Sequence, residues 1–384
     1  MIKLPKILNK FSKNFFRAKP NVIMIMVDGA RCDSISKIPF YENLKKESAF
    51  FPQVITYAPY TIASLHAIFS GIYGNKNGVN GYYRSFSFDK QNCTTLTEYL
   101  KAAGYHTECD LIRENVVPYQ GFDKIHVYDE FKDDLTKRHS EILTQIKPKQ
   151  PFFLFLDYSH IHTNLVKNVI KKYSDFDEEY FKKKDENLKN YLKWLAESGE
   201  YAKALLSKIK DLGLFDDSII IVLSDHGTSV GDKIGEKNYG VFLHDYTLRC
   251  FLYIMWKKIP KNKEIKSLVR SIDIMPTLLD MLKLKERNSG KKMQGKSFLP
   301  FIDGFMDERI AYSETGGLGG PTPSPDKHNI KSIRTETWKL IYNETTNKKE
   351  LYNLEKDPEE TVNLAGTEPE LENYLWESLK AHQE

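Results

Sequence analysis

Four short, unbroken apolar runs punctuate the chain: residues 21–27 (NVIMIMV), 151–156 (PFFLFL), 218–223 (SIIIVL) and 250–255 (CFLYIM). Runs of this length without polar alternation predict strands covered on both faces, as in a parallel sheet. Between them apolar positions recur at helical spacing over 96–103, 186–212 and 272–284, the first two closed by Gly104 and Gly213. Glycine just past the last periodic residue is a helix stop. Strands alternating with helices predict an α/β fold, a mostly parallel central sheet with helices on both faces. The pattern changes beyond residue 285. Gly316-Gly317 and Gly319-Gly320-Pro321 mark a loop. Residues 332–342 and 350–354 then read as strands of a small antiparallel sheet, ended by Asp357-Pro358, and a terminal helix is predicted over 369–382. The expected organisation is a basic tail over 1–19, a large α/β domain over 20–305 and a small α+β subdomain over 306–384.

Composition narrows the function classes. The 384 residues, 41% of them hydrophobic, suffice for one large core and a smaller one. Net charge is only +4, from 56 basic and 52 acidic residues, which gives no pull toward a nucleic acid polymer. Cys32, Cys93, Cys109 and Cys250 form no CxxC pair, so reduced thiols are expected rather than a disulfide framework or zinc knuckle. No run of about 18 apolar residues exists to form a transmembrane segment. The first residues are basic but lack a signal-peptide core, which leads to a cytoplasmic expectation. The 1–19 segment reads as a frayed tail or a docked helix, with peripheral membrane contact as the alternative. The sequence carries no signal for oligomeric state.

The candidate chemistry lies where the apolar runs end. The first runs into Asp28-Gly29-Ala30-Arg31, the second into Asp157-Tyr158-Ser159-His160-Ile161-His162, and the third into Ser224-Asp225-His226-Gly227. Functional groups of doubly wound sheets gather just beyond the C-terminal strand ends. One Asp there simply caps a helix. Three such endings gather carboxylates and imidazoles suited to a divalent metal ion: Zn, Mn, Mg or Ca. A fourth segment, 58–71 (APYTIASLHAIFSG), starts a helix at or near Thr61. Unpaired N–H groups at a helix start favour phosphate or sulfate oxygens, and they help a hydroxyl ionise, as does a metal. Taken alone, this segment reads as Thr61 or Ser64 capping a helix. His66 reads as a packed or surface histidine. Residues 82–86 (YYRSF) read as a substrate mouth or as ordinary loop packing, and the Lys-rich 165–193 stretch as a solvated insert or a lid following His162.

In sequence order these segments resemble the sulfatase branch of the alkaline-phosphatase superfamily. The resemblance runs over about 20–365 and includes Thr61 to Gly71, Gly78-Val79, residues 95–107 (TLTEYLKAAGYHT), Gly121-Phe122-Asp123, Ser224-Asp225-His226-Gly227, residues 271–282 (SIDIMPTLLDML) and ELYNLEKDPEETVNL. It implies that Asp28, Asp225 and His226 bind the metal, with Thr61 as nucleophile and fourth ligand. His162 would contact the transferred group or move a proton, while Lys237 and His244 stand where the family places a basic residue. Arg31 would brace the nucleophile loop. The departures are specific. Thr61 replaces the cysteine that typical sulfatases oxidise to formylglycine, and Leu65 replaces the arginine of that motif. Gly29 replaces a second acidic ligand. Threonine cannot follow the aldehyde route, so the resemblance shifts toward phospho-ester members that use threonine with one or two metals, the second drawing on Asp157, His160 or His244. The expected function is a metal-dependent hydrolase that cleaves or transfers a phosphate ester through a Thr61 covalent intermediate. The alternatives are a sulfuric ester hydrolase working without formylglycine, and a catalytically silent binding protein. The expected partner is a phosphate- or sulfate-ester substrate, of a glycan, lipid head group or nucleotide.

Overall fold

The computed structural model describes residues 19–81, 87–286, 290–316 and 328–383. The large sheet contains β1 (Asn21–Val27), β2 (Ala49–Ile55), β3 (His106–Leu111), β4 (Lys124–Val127), β5 (Phe152–Tyr158), β6 (Ser218–Leu223), β7 (Arg249–Met255), β8 (Lys263–Glu264) and β9 (Val269–Arg270). Its order is β4-β3-β5-β1-β6-β7-β2-β8, with β9 also paired to β2. The block from β4 to β6 is parallel, and β7 runs antiparallel to both β6 and β2. The four apolar runs of the sequence are the adjacent strands β5, β1, β6 and β7.

Side chains alternate across the pleat, so β1 serves two cores. Ile23, Ile25 and Val27 enter one hydrophobic cluster, and Val22, Met24 and Met26 enter the other. The helix Lys184–Asp211 covers the first face with Tyr191, Leu195, Ala202, Leu205 and Ile209. On the second face the helix Leu96–Ala102 begins with a capping box: Thr95 accepts from the Glu98 N–H, and the Glu98 carboxylate accepts from the Thr95 N–H.

A second, antiparallel sheet has the order β10 (Ala311–Thr315), β11 (Ile330–Arg334), β12 (Trp338–Asn343) and β13 (Lys348–Asn353). The terminal helix Pro369–Gln383 buries Leu375 and Leu379 in the cluster that holds Ile333, Leu340 and Leu351. Ile341, Tyr352 and Leu354 pack instead with Ile55, Leu243, Leu248 and Leu268 of the larger unit. A buried ion network crosses this seam. Asp245 meets Lys339 at 2.5 Å and Arg334 at 3.0 Å, and Lys339 meets Glu360 at 2.7 Å.

The sequence pattern did not predict β2, β3, β4 or β10. β2 contains Pro52, and its register slips between Phe51 and Val54, as expected where a ladder donor is missing. The stretch 332–342 is split between β11 and β12 by a turn. All four cysteines are free and buried. No helix among the described residues is long and apolar enough to cross a membrane. The expected tail over 1–18, the aromatic segment 82–86 and the glycine loop from residue 317 lie outside the described residues.

Candidate active site

β1 and β6 are parallel neighbours with Met26 opposite Leu223. Asp28 and Asp225 each follow two residues later, so the pairing sets two carboxylates side by side at the C-terminal edge. His226 completes the group. Its Nε2 lies 3.4 Å from Asp28 Oδ1 and 3.5 Å from Asp225 Oδ2, and one ligand-capable atom of each residue lies within 4.8 Å of the others. His226 Nδ1 is 2.8 Å from the Gly227 carbonyl. A carbonyl only accepts, so Nδ1 carries the hydrogen and Nε2 is the ring atom turned toward the carboxylates. Asp28 Oδ1 and Asp225 Oδ2 are buried and have no hydrogen-bond partner. Burial, with Asp225, Asp157 and Glu130 nearby, raises the Asp28 carboxyl well above its ordinary value, against a lowering hydrogen bond from Thr61. Two orphaned carboxylate oxygens facing an imidazole nitrogen fit a divalent cation, which would relieve the repulsion between the carboxylates.

Thr61 opens the helix Thr61–Ser70, and its Oγ1 lies 3.2 Å from His226 Nε2. Neither Thr61 nor Ser64 is a cap. The cap position is Tyr60, which makes no side-chain cap bond, and the Ser64 hydroxyl donates to the Asp225 carbonyl at 2.8 Å. Ser64 thereby ties the helix of Thr61 to the turn that carries Asp225 and His226. Gly29 shows why no second acid follows Asp28. Its φ is +72°, and a Cβ there would come within 2.8 Å of Thr228 Oγ1. Leu65, at the position of the family arginine, is a core residue of the second cluster.

His162 lies against this group through an aromatic residue. Its Nδ1 is 2.8 Å from the Tyr239 hydroxyl, and the Tyr239 ring sits 4.6 Å from the His226 ring. Burial lowers the His162 value despite Glu130. Asp157 is also at this edge. Its Oδ2 accepts the Ile112 N–H at 3.2 Å and its Oδ1 has no partner. Burial, opposed by that N–H and reinforced by Asp225, pushes it up to about 7.

The remaining sequence candidates lie elsewhere. His244 belongs to the seam, with Nδ1 3.4 Å from Glu360 and its ring stacked on Tyr246. Lys237 donates to the Tyr173 carbonyl at 2.6 Å and meets Asp175 at 3.0 Å, so it fastens a loop instead of reaching Thr61. His160 points outward to Glu197 at 2.5 Å. Arg31 holds Asp33, Asp232 and the Thr228 carbonyl, and so clamps the turn after His226, not the nucleophile loop. His66 is packed as expected. It is buried edge-on to Phe88 with Nδ1 2.8 Å from the Ile62 carbonyl, and burial pushes it down to about 4.

The sequence reading missed Tyr239 and a support behind the start of the Thr61 helix. The Tyr60 hydroxyl, one residue before Thr61, lies 2.5 Å from His328 Nε2, and Tyr57 donates to Glu314 at 2.5 Å. His328 Nδ1 lies 3.4 Å from the same Glu314 oxygen. Glu314 belongs to β10, more than 250 residues along the chain from Tyr57, a pairing no local pattern announces.

Residues 20–284 match the family model described as Sulfatase, and residues 237–384 match the one described as N-sulphoglucosamine sulphohydrolase, C-terminal. An arylsulfatase of Clostridium perfringens (strain 13 / Type A) is 22% identical over 449 residues, covering 91% of this chain and 91% of that protein. A protein solved in complex with its substrate D-glucosamine-2-N,6-O-disulfate superposes with a TM-score of 0.74 at 18% identity, covering 95% of this chain and 97% of that one. A 2-O GAG sulfatase superposes with a TM-score of 0.78 at 15% identity, covering 94% and 91%.

Proposed function

The chain belongs to the sulfatase family, and from that premise we propose that it is a cation-dependent hydrolase of a sulfate ester carried by a saccharide. The relatives support a sulfate ester over the phosphate ester expected from Thr61 alone. The observation that carries the reading is the Thr61 hydroxyl set 3.2 Å from His226, within a cluster in which Asp28 Oδ1 and Asp225 Oδ2 lack partners.

Asp28, Asp225, His226 and Thr61 would hold the cation, which supplies charge stabilisation to the ester oxygens and eases ionisation of a hydroxyl. The residues of the chain do the rest. Thr61 Oγ1 gives up its proton to solvent and forms the bond to sulfur as the bond from sulfur to the leaving oxygen breaks. The helix start at Thr61 turns backbone N–H groups toward the sulfate oxygens. His162, oriented by Tyr239, takes up a proton from solvent and delivers it to the leaving alcohol. Water then cleaves the threonine sulfate, releasing sulfate and restoring Thr61. The aldehyde route of typical relatives is closed to a threonine.

Thr61 itself favours a second reading, a phosphate ester cleaved through a phosphothreonine. One panel separates the readings: 4-nitrophenyl sulfate, 4-nitrophenyl phosphate, bis(4-nitrophenyl) phosphate and a sulfated glucosamine, each with Mg, Mn, Ca or Zn. Sulfate ester turnover that falls by about three orders of magnitude or more in Thr61→Ala supports the proposal. Turnover of phosphate esters alone replaces it with the second reading. A protein that binds no cation by elemental analysis and turns over nothing is the silent binding form.

A further inference from the structure

A cavity of about 400 Å³ lies beside the catalytic edge, between the chain that follows His162, the helix Lys184–Asp211 and the turn at Ser229 and Val230. That volume falls within the range of small-molecule sites, about 300–1,000 Å³. Its walls continue those of the catalytic site. Leu165, one helical turn past His162, lines it, and Ser229 follows His226 by three residues. Lys237 ties another lining residue, Tyr173, to the segment that carries Tyr239. The Lys-rich insert therefore forms a wall beside the site.

The lining is cationic. Lys167, Lys172, Lys183 and Lys193 face a single carboxylate, Glu186. Lys183 is paired with Glu179. Lys167 and Lys172 lie over the rings of Phe131 and Tyr173 and have no acid in ion-pair range among the described residues. Lys193 is exposed and has no acidic partner among the described residues. Trp194 and Tyr173 add aromatic faces of the kind on which the apolar side of a sugar ring stacks. The Asn190 side chain supplies amide donors and an acceptor for ring hydroxyls. Lysine ammoniums suit sulfate groups as point charges.

We propose that this cavity is a subsite for a second anionic group of a polysulfated saccharide, held while the scissile ester lies at Thr61. The inference rests on the sulfate-ester reading above. Its test is the binding of sucrose octasulfate to the full-length holoenzyme, followed by tryptophan fluorescence, with unsulfated sucrose as the neutral probe. Lys172→Gln combined with Lys193→Gln should raise the Kd about tenfold or more, the scale of losing contacts to charged groups, and Trp194→Phe should abolish the fluorescence response. Sucrose should give no response. Lys257→Gln combined with Lys261→Gln removes equal charge beyond the C-terminal end of the antiparallel β7, at the opposite edge of the sheet, and should leave the Kd unchanged. An unchanged Kd in the Lys172/Lys193 variant, an equal rise in the Lys257/Lys261 variant, or a response that survives Trp194→Phe overturns the proposal. The two readings fail separately. Absent sulfate ester turnover with binding still lost in the Lys172/Lys193 variant sinks the ester reading and keeps an anionic saccharide site. Turnover with unchanged binding sinks the subsite alone.

Discussion

Three side chains at the sheet edge are arranged in a way that costs free energy in the absence of a counter-charge. Asp225→Asn should therefore abolish cation binding, read by elemental analysis and by loss of the metal-dependent rise in melting temperature, while the apo-protein melts no lower than wild type. His162→Gln separates a proton donor from a packing residue. It should lower kcat for an alkyl sulfate by about 10²–10⁴-fold but affect 4-nitrophenyl sulfate far less, because nitrophenolate leaves without a proton. Equal losses on both esters would remove His162 from proton transfer. Gly29→Asp tests why the family's extra acid is missing. It places a side chain at φ +72° and against Thr228 Oγ1, which should destabilise by about 1–3 kcal/mol in a denaturant melt.

Among the elements, the strands that end in chemistry were the legible ones. NVIMIMV and SIIIVL are uniformly buried, so their composition betrays them, and Asp28, Asp225 and His226 follow directly. The helix Thr61–Ser70 was legible from Pro59 and Gly71, the latter in the left-handed conformation that ends it. β3 was not, because HTECDL buries Glu108 and Asp110 through partners that only the fold supplies, namely His126 and Arg138. Lys237 and His244 were misplaced because spacing along a long loop does not say which wall a side chain faces. The support behind the helix Thr61–Ser70 is testable at this scale. Tyr60→Phe leaves His328 Nε2 without its 2.5 Å partner and should cost about 1–3 kcal/mol in stability, together with a fall in kcat at unchanged KM for a small ester.

Across the whole molecule, the two sheets are joined by buried charge as well as by apolar contact. Burial alone would raise Asp245, but Arg334 and Lys339 outweigh it and hold the carboxyl well below its ordinary value. A depressed value means that the stabilisation is fully present above the unfolded carboxylate value, about 3.9, and is lost as pH falls below it toward the folded value. Glu360, depressed through Lys339 and His244 against its burial, acts in the same direction. Asp245→Asn should destabilise at neutral pH by about 3–5 kcal/mol, and its stability should fall less steeply than that of wild type between pH 4 and the acid limit (about two pH units). Parallel urea melts at neutral and acidic pH read both effects.

The glycine after Asp28 also fixes the electrical ledger of the loaded centre. Counted over the groups that would touch the cation, and before the Thr61 hydroxyl ionises, two carboxylates against one divalent ion sum to zero, and Asp157 at the same edge can only add negative charge to that sum. A third acid would leave the ensemble with an excess negative charge, repelling any anionic ester at close range. With a bare glycine at residue 29, a singly charged sulfate monoester or phosphate diester approaches without that opposition, and a doubly charged phosphate monoester has no surplus positive charge to draw it in. By valence alone, then, this centre should prefer monoanions to dianions.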